Sequence, residues 1–591
     1  MEPKAKSKVL DFDLFKRLMT FVVPYKRTFI FVLAAAVLLS GFSTLSPYLL
    51  KVTIDDYITL RDYDGMLTLI MLMGLALILE VVFQFMFIFY ANWLGQHVIL
   101  DLRNTLYKHM LEFKMAYFDT SAVGRLVTRV VSDIETISGI FSQGLFMIIA
   151  DLLKMLVVMI VMWSVSWELS AIVFAVLPLV LFATRKFQKA MKHAFDEVRS
   201  QVANLNSFVQ ERISGMRIVQ LFGREKIEAD SFRQINNKHR KAWLRTVWYN
   251  SIFFPIAELS TSITIGMLVW FGGLNVIAGS SGMTLGIIFL FIQLSQMLFR
   301  PLLQIADKFN TLQMGMVAVR RVMALLDTDE TIEDNGTLQD VTLSGAVSFD
   351  EVHFSYKSEE PVLRGVSFTM EPGETVAVVG PTGAGKSTLI NILSRFYEID
   401  AGTVSLDGVP IQKYERAWMR KQVGVVLQDV FLFADSIYNN ITLWDRSISE
   451  EDVIAAAKKI GVHGFISSLP DGYNFNVKER GGMLSTGQRQ LIAFLRAYMI
   501  KPKILVLDEA TSSIDTHAEQ LIQKATKEIT KGKTSLVIAH RLATVQQADK
   551  IIVLEKGMIV EVGTHKELLQ KENGHYKNLY EVQFLSPVQA L

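Results

Sequence analysis

The chain has 591 residues, 51% of them hydrophobic, with a mean hydropathy of +0.31 and a formal net charge of +2. That apolarity points to membrane spans rather than an ordinary soluble protein, and the near-zero charge gives no bias toward nucleic acid. There is no cysteine, which excludes disulfides, thiolate zinc sites, cysteine-ligated iron–sulfur clusters and cysteine nucleophiles.

Residues 1–27 begin MEPKAKSKVLDFDLFKR, charged and amphipathic, unlike a signal peptide. Over residues 10–23, Leu14, Phe15, Leu18, Phe21 and Val22 recur at helical spacing beside Lys16, Arg17 and Lys26. This stretch reads as a helix along the cytosolic membrane surface, or as the start of the first span. A transmembrane domain is expected over 28–325, with six spans: Thr28–Leu50, Met66–Gln96, Thr136–Trp167, Leu169–Thr184, Trp248–Ala278 and Met283–Phe299. The third and fourth form a tight hairpin. Segments 97–135 and 185–247 are rich in Lys and Arg, whereas the loop near 55–65 carries one arginine among four aspartates. The positive-inside rule therefore puts those two segments and both termini in the cytosol. Both segments read as continuous helix with few breakers, extending the spans well beyond the bilayer. Residues 326–345 are acidic and polar without helical periodicity, and read as a linker.

From 346 to 591 the pattern changes to short strands, glycine turns and intervening helices, an α/β domain. Its centre is Val376–Leu389, VAVVGPTGAGKSTL, which is G-x-x-x-x-G-K-S between a β-branched run and an apolar helical pattern. Gly380, Pro381, Thr382, Gly383, Ala384 and Gly385 form a loop whose N–H groups cradle phosphate, with Thr388 in the first helical turn. The helix N-terminus adds partial positive charge. Lys386 is placed to reach the β- and γ-phosphates of ATP and Ser387 to hold Mg²⁺. Further along, the strand-like run Ile504–Leu507 ends in Asp508, suited to Mg²⁺ through water, and Glu509, suited to act as a base on the attacking water. Strand-like Ser535–Ala539 ends in His540, able to bridge the γ-phosphate and that water. Gln428 follows an apolar run and can sense Mg²⁺ or the water. Tyr356 ends another, where its ring can stack on adenine.

With Leu484–Gln488, LSTGQ, the ordered set of P-loop, Gln428, LSTGQ, Asp508–Glu509, Ser512–Asp515 and His540 resembles the ABC transporter superfamily. The stretches 118–137 and 211–225, and VKERGG at Val477–Gly482, resemble type IV exporters, closest to bacterial heterodimeric multidrug-resistance-like subunits. The resemblance implies a half-transporter in which two ATPase domains close head to tail. Ser485, Gly487 and Gln488 of one domain then complete the site on the other's P-loop. It also implies short helices near Met115–Gly124 and Ser214–Phe222 that pass motion between domains. One position departs: the family usually has LSGGQ, and Thr486 replaces a glycine that tolerates φ > 0 and close backbone approach. A β-branched residue there would weaken the partner's site, so a heterodimer is favoured over a homodimer.

Intramembrane ionisable residues are candidates for substrate contact. Asp151 and Lys154, spaced i, i+3, are expected to neutralise each other. Glu80 has no partner on its own helix, and an acidic pocket would favour amphipathic cations. The function expected is ATP-driven efflux of hydrophobic or amphipathic compounds. Lipid or envelope-precursor translocation is the alternative, and an ATP-gated channel or regulator a third reading, which Glu509 and His540 argue against.

Overall fold

The computed structural model describes residues 11–581 apart from 60, 280–281, 333, 358, 510–515 and 540–541; of 303, 305–307, 509, 516–517 and 543 it describes the backbone alone. The chain divides into two compact units, Met1–Leu111 with Ala122–Asp329, and Glu112–Ser121 with Glu330–Leu591.

The first unit is helical. Helix α1 (Phe12–Thr20) is capped by Asp11 and separated by a 3₁₀ turn at Val23–Tyr25 from α2 (Lys26–Val52). It is thus a helix in its own right and not the start of the first span. Arg17 on α1 forks onto Asp327 at 2.6 and 2.5 Å. Next come α3 (Tyr63–Leu111), α4 (Met115–Thr120), α5 (Val123–Thr128), α6 (Ile134–Gly139) and α7 (Phe146–Val165), with π-helical turns at Arg129–Asp133 and Ile140–Leu145. They are followed by α8 (Trp167–Ser214), α9 (Met216–Leu221), α10 (Glu225–Ile277) and α11 (Leu285–Leu326).

Among the described residues six helical stretches are long and apolar enough to cross a membrane, and α3, α8, α10 and α11 continue far beyond the length a bilayer needs. Only 6% of the most apolar window of α3 is buried within the chain. Helices suit this setting because each satisfies its own backbone. Polar residues in the spans fold back in the same way: Ser40 donates to the Ala36 carbonyl at 2.8 Å and Thr264 to that of Ser260 at 2.8 Å. The α7–α8 hairpin turns on Ser166, whose extended backbone ends one helix and whose hydroxyl accepts from Leu169 N–H at 3.4 Å to start the next. At the same end of the bundle, Asp55 accepts from the Thr284 hydroxyl at 2.6 Å and Gly286 N–H at 2.8 Å, capping α11.

Continuous helix over 97–135 and 185–247 is corrected. The first segment breaks at 112–114 and 121–122, the second at Gly215 and again at 222–224, where Gly223 takes φ +57°. At the first break the backbone leaves the helix to pair elsewhere: Lys114 N–H donates to the Glu330 carbonyl at 2.7 Å and Ile332 N–H to that of Glu112 at 3.3 Å.

The second unit holds two sheets, built from β1 (Val347–Ser355), β2 (Pro361–Met370), β3 (Thr375–Val379), β4 (Ala401–Leu406), β5 (Val409–Pro410), β6 (Val423–Val426), β7 (Ile504–Glu509), β8 (Thr534–Ala539), β9 (Lys550–Glu555) and β10 (Met558–Gly563). An antiparallel sheet runs β2-β1-β4-β5, and a six-stranded sheet runs β10-β9-β3-β8-β7-β6, parallel from β9 to β6. In β3, Val376 and Val378 enter one core while Ala377 and Val379 enter the core on the other face, and β7 splits its residues likewise. That two-sided burial is why these strands read as unbroken apolar runs.

The segment leading into β1 is held by Asp407 of the β4–β5 turn, whose carboxylate accepts from Ser344 N–H (2.5 Å), Ser344 Oγ (2.7 Å), Gly345 N–H (3.1 Å) and Ala346 N–H (2.7 Å). Burial pushes its pKa up, but these hydrogen bonds prevail and hold the pKa below the usual carboxylate range. Asp407→Ala is expected to cost about 2–4 kcal/mol, seen as a lower thermal unfolding midpoint of the purified chain. Because the folded value is depressed, this contribution is present at neutral pH and fades as pH falls through the lowered value. The wild-type advantage over the variant must therefore shrink in acid.

Candidate functional site

The parallel strands deliver the candidate residues to one edge. The P-loop follows β3, Gln428 lies two residues past β6, Asp508 and Glu509 end β7, and His540 succeeds the last residue of β8. Pairing of Val378 with Ile538 and of Ile538 with Asp508 sets β3, β8 and β7 level, with their C-terminal ends together. The Glu509 side chain, His540 and Ser512–Asp515 lie outside the described residues. Glu509 is placed through its backbone alone, opposite Ala539.

In the P-loop, Gly380 adopts φ +153° with its backbone so close to β9 that a Cβ would sit 2.1 Å from the Leu554 carbonyl oxygen. Gly385, at φ +101°, is the N-cap of helix α12 (Lys386–Leu393). Only glycine meets both demands. Lys386 is buried and folds back over the loop, donating to the carbonyls of Gly380 (2.8 Å) and Pro381 (3.0 Å). Burial lowers its proton affinity, while Asp508 across the edge raises it. Asp508 is buried too. Burial pushes its carboxyl up, against the Lys386 charge and a hydrogen bond from Ser387 that stabilise the anion. Thr382, Gly383 and Ala384 complete the loop, and Thr388 lies in the first turn of α12.

The Tyr356 hydroxyl lies 3.3 Å from Thr388 Oγ1 and accepts from Asn391 at 3.0 Å, anchoring the ring to α12 while the side chain stays half-exposed. Sequence reasoning missed Asn391, because a polar residue on a helix face has no signature of its own. Gln428 is exposed and shares a cavity of about 260 Å³ with Thr486 and Arg489.

LSTGQ opens the helix Thr486–Met499. Ser485 is its N-cap in a capping box, accepting from Gln488 N–H at 3.3 Å while its own N–H donates to Gln488 Oε1 at 2.9 Å. Gly487 is buried in the first turn. The premise that position 486 needs a glycine backbone is corrected: Thr486 is the first residue of the helix, is not among the positive-φ residues, and its hydroxyl accepts from Arg489 at 3.2 Å. The same arginine donates to the Leu484 carbonyl at 2.9 Å. Threonine fits this backbone without strain.

In the bundle, pairing of Asp151 with Lys154 is corrected: Asp151 forms its ion pair with Lys308 of α11. The side chains face different neighbours because α7 packs against several helices, so sequence spacing alone does not choose the partner. Lys154 lies within electrostatic reach of both Glu80 on α3 and Asp151, with Arg300 also near. Glu80 and Asp151 thus each have a cation within electrostatic reach, carried on α7 or α11.

Lys386→Ala is expected to lower ATPase turnover by at least about a hundredfold, because it removes the buried cation that faces the β/γ-phosphate position. Wild-type turnover in the purified variant would refute the assignment of the P-loop.

The comparisons agree with this geometry. Residues 29–302 match the family model for the ABC transporter transmembrane region, and residues 363–512 match that for the ABC transporter ATPase. An uncharacterized ABC transporter ATP-binding protein of Bacillus subtilis strain 168 is 35% identical over 576 residues, 97% of this chain and 95% of that one. An ATP-dependent lipid A-core flippase of Syntrophus aciditrophicus is 33% identical over 97% of this chain and 95% of its own length. A Staphylococcus aureus (strain NCTC 8325) protein, provisionally named a multidrug export ATP-binding/permease protein, is 33% identical over 97% of this chain and all of its own. Six apolar helices, a P-loop α/β unit and end-to-end relatives of one architecture place the chain in the ABC transporter family, as a multi-pass membrane half-transporter of the multidrug and lipid exporter type that dimerises and couples ATP hydrolysis to transport.

Proposed function

We propose that the chain drives efflux of hydrophobic or amphipathic compounds, multidrug-type, by alternating access of a dimer in the cytoplasmic membrane, with both termini and the ATPase domain cytosolic. In domain terms, 1–27 is the N-terminal segment, 28–325 the transmembrane domain, 326–345 the linker and 346–591 the ATPase. The observation that carries the reading is the contact among Lys386, Ser387 and Asp508 at the sheet edge, in a chain whose other unit is six apolar helices.

Mg²⁺ fits the donor set. Ser387 and Asp508 are hydrogen-bonded hard-oxygen donors, and the buried carboxyl regains its anionic form beside a cation. Bound there with ATP, the ion neutralises charge developing on the β- and γ-phosphates. In this reading Lys386 holds the γ-phosphate, Tyr356 carries the adenine, Gln428 senses the ion and the attacking water, Glu509 takes that water's proton, and His540 holds it in line. Ser485, Gly487 and Gln488 serve the partner's nucleotide.

Lipid translocation is the second reading. An apolar cavity of about 490 Å³ lies where α8 begins and α10 ends, lined by Trp167, Ile172, Met267, Trp270 and Leu274 among others. Tryptophan flanking an apolar slot suits an acyl chain at the membrane interface. Glu80, Asp151 and Lys154 remain candidates for substrate contact. ATPase stimulation in nanodiscs by hydrophobic drugs rather than by added lipids supports the first reading, and the reverse order supports the second.

The pairing proposed is a heterodimer with a similar half-transporter that carries an LSGGQ-like signature. With no backbone strain at Thr486, this rests on the methyl and hydroxyl that threonine adds at the exposed face offered to the partner's phosphates. The chain expressed alone should then form at most a weakly active assembly. A stable homodimer with full drug-stimulated ATPase overturns the heterodimer and leaves the export reading intact.

Glu509→Gln should keep ATP binding and reduce hydrolysis by at least about a hundredfold, since the amide preserves shape and loses the base. Nucleotide binding and phosphate release measured on the same preparation check both halves.

A further inference from the structure

Away from the nucleotide edge, two lysines of the ATPase unit converge on one ring. Lys459, in the last turn of the helix Glu450–Ile460, places its ammonium 5.7 Å from the centre of the Tyr498 ring. Lys533, the residue before β8, places its own 5.3 Å from the same centre. Tyr498 lies near the end of the helix Thr486–Met499 and packs against the core of the unit. Its ring attracts each cation and so gathers two like charges that repel one another.

The two lysines are not equivalent. Lys459 is exposed, and its ammonium donates to the Tyr498 hydroxyl. That hydrogen bond first, with the Glu528 charge in support, holds its pKa above the usual lysine value. Lys533 is half-buried, and its backbone is fixed: its N–H donates to the Thr530 carbonyl at 3.0 Å, and its own carbonyl accepts from the Ser535 hydroxyl at 3.2 Å. Among the described residues no carboxylate pairs with it. Burial first, then the Lys459 charge, lowers its pKa. Lys459 therefore stays a cation while Lys533 yields its free amine more readily, which divides the pair into a charge holder and a nucleophile.

We propose that Lys533 is a site of covalent acylation by acyl phosphates, with Lys459 holding the phosphate of the reagent. The Lys533 amine gives its lone pair to the acyl carbon. The N–C bond forms, and the bond from that carbon to the phosphate oxygen breaks. The electron pair leaves with the phosphate, and the proton shed by the amine goes to solvent. The products are an N-acyl lysine and inorganic phosphate, with no change of oxidation state. Lys459 favours this leaving group because the charge on its oxygen grows as the bond breaks. The amide that results is neutral, so the repulsion between the two lysines ends with the reaction. β8 runs from Lys533 toward the nucleotide edge, which puts the reacting amine at the opposite end of the sheet from Lys386 and Asp508.

Site-resolved mass spectrometry of the purified full-length chain treated with acetyl phosphate tests this, and no cysteine competes for the acyl group. Lys533 should be acetylated at least about fivefold faster than the median exposed lysine of the same chain. Its rate should also level off at a lower pH than theirs, because its proton is lost first. Lys459→Gln should slow Lys533 by at least about fivefold, and Lys459→Arg should restore most of the rate. The N-hydroxysuccinimide ester of acetate has no phosphate to hold, so its reaction at Lys533 should lose less in Lys459→Gln than that of acetyl phosphate. Acetyl-CoA, whose phosphates lie far from its acyl group, should behave like the ester. Wild-type affinity for the fluorescent analogue TNP-ATP shows that the variants are folded. A wild-type Lys533 that reacts at or below the median rate overturns the proposal, and this outcome needs no variant. Equal losses with acetyl phosphate and the ester in Lys459→Gln overturn it too, since Lys459 then holds no phosphate.

Discussion

The facing charges of Lys386 and Asp508 are the point on which the ATPase unit turns. Each is buried, each loses hydration it must recover, and each finds part of it in the other. Neither can be placed so unless β3 and β7 end level at the same edge, and that follows from β8 pairing in register with both. The register in turn depends on strands buried on two faces, where a one-residue slip would exchange the side chains of the two cores. Lys386 is thus held over the loop, its ammonium donating to the carbonyls of Gly380 and Pro381.

The membrane unit obeys a different constraint. Lipid cannot hydrogen-bond the backbone, so the spans are helical, and hydroxyls such as those of Ser40 and Thr264 turn back on their own helices. Charges cannot be handled in that way, and they pair across helices: Asp151 finds Lys308, and Lys154 takes up a place near Glu80. An intramembrane carboxylate whose partner sits on another helix constrains how those helices pack, whatever role it also has toward substrate. An acid count along the sequence misses cations that lie 74 and 157 positions away in the chain.

This difference marks what the sequence can convey. The P-loop, the six apolar stretches and the strand-terminal carboxylates are local patterns, each readable from a window shorter than a helix, and the family resemblance follows from their order. The structure adds what is not local. Position 486 looks like a place for glycine only when the signature is read as a loop. As the first turn of a helix capped by Ser485, it accepts threonine, and Arg489 three residues later completes the bond. Segments 97–135 and 185–247 look like unbroken helix because nothing in their composition stops one. The first break comes from a pairing with residues 330–332 more than two hundred positions away. Asn391, which anchors the Tyr356 hydroxyl, is one polar residue on a helix face and has no signature of its own.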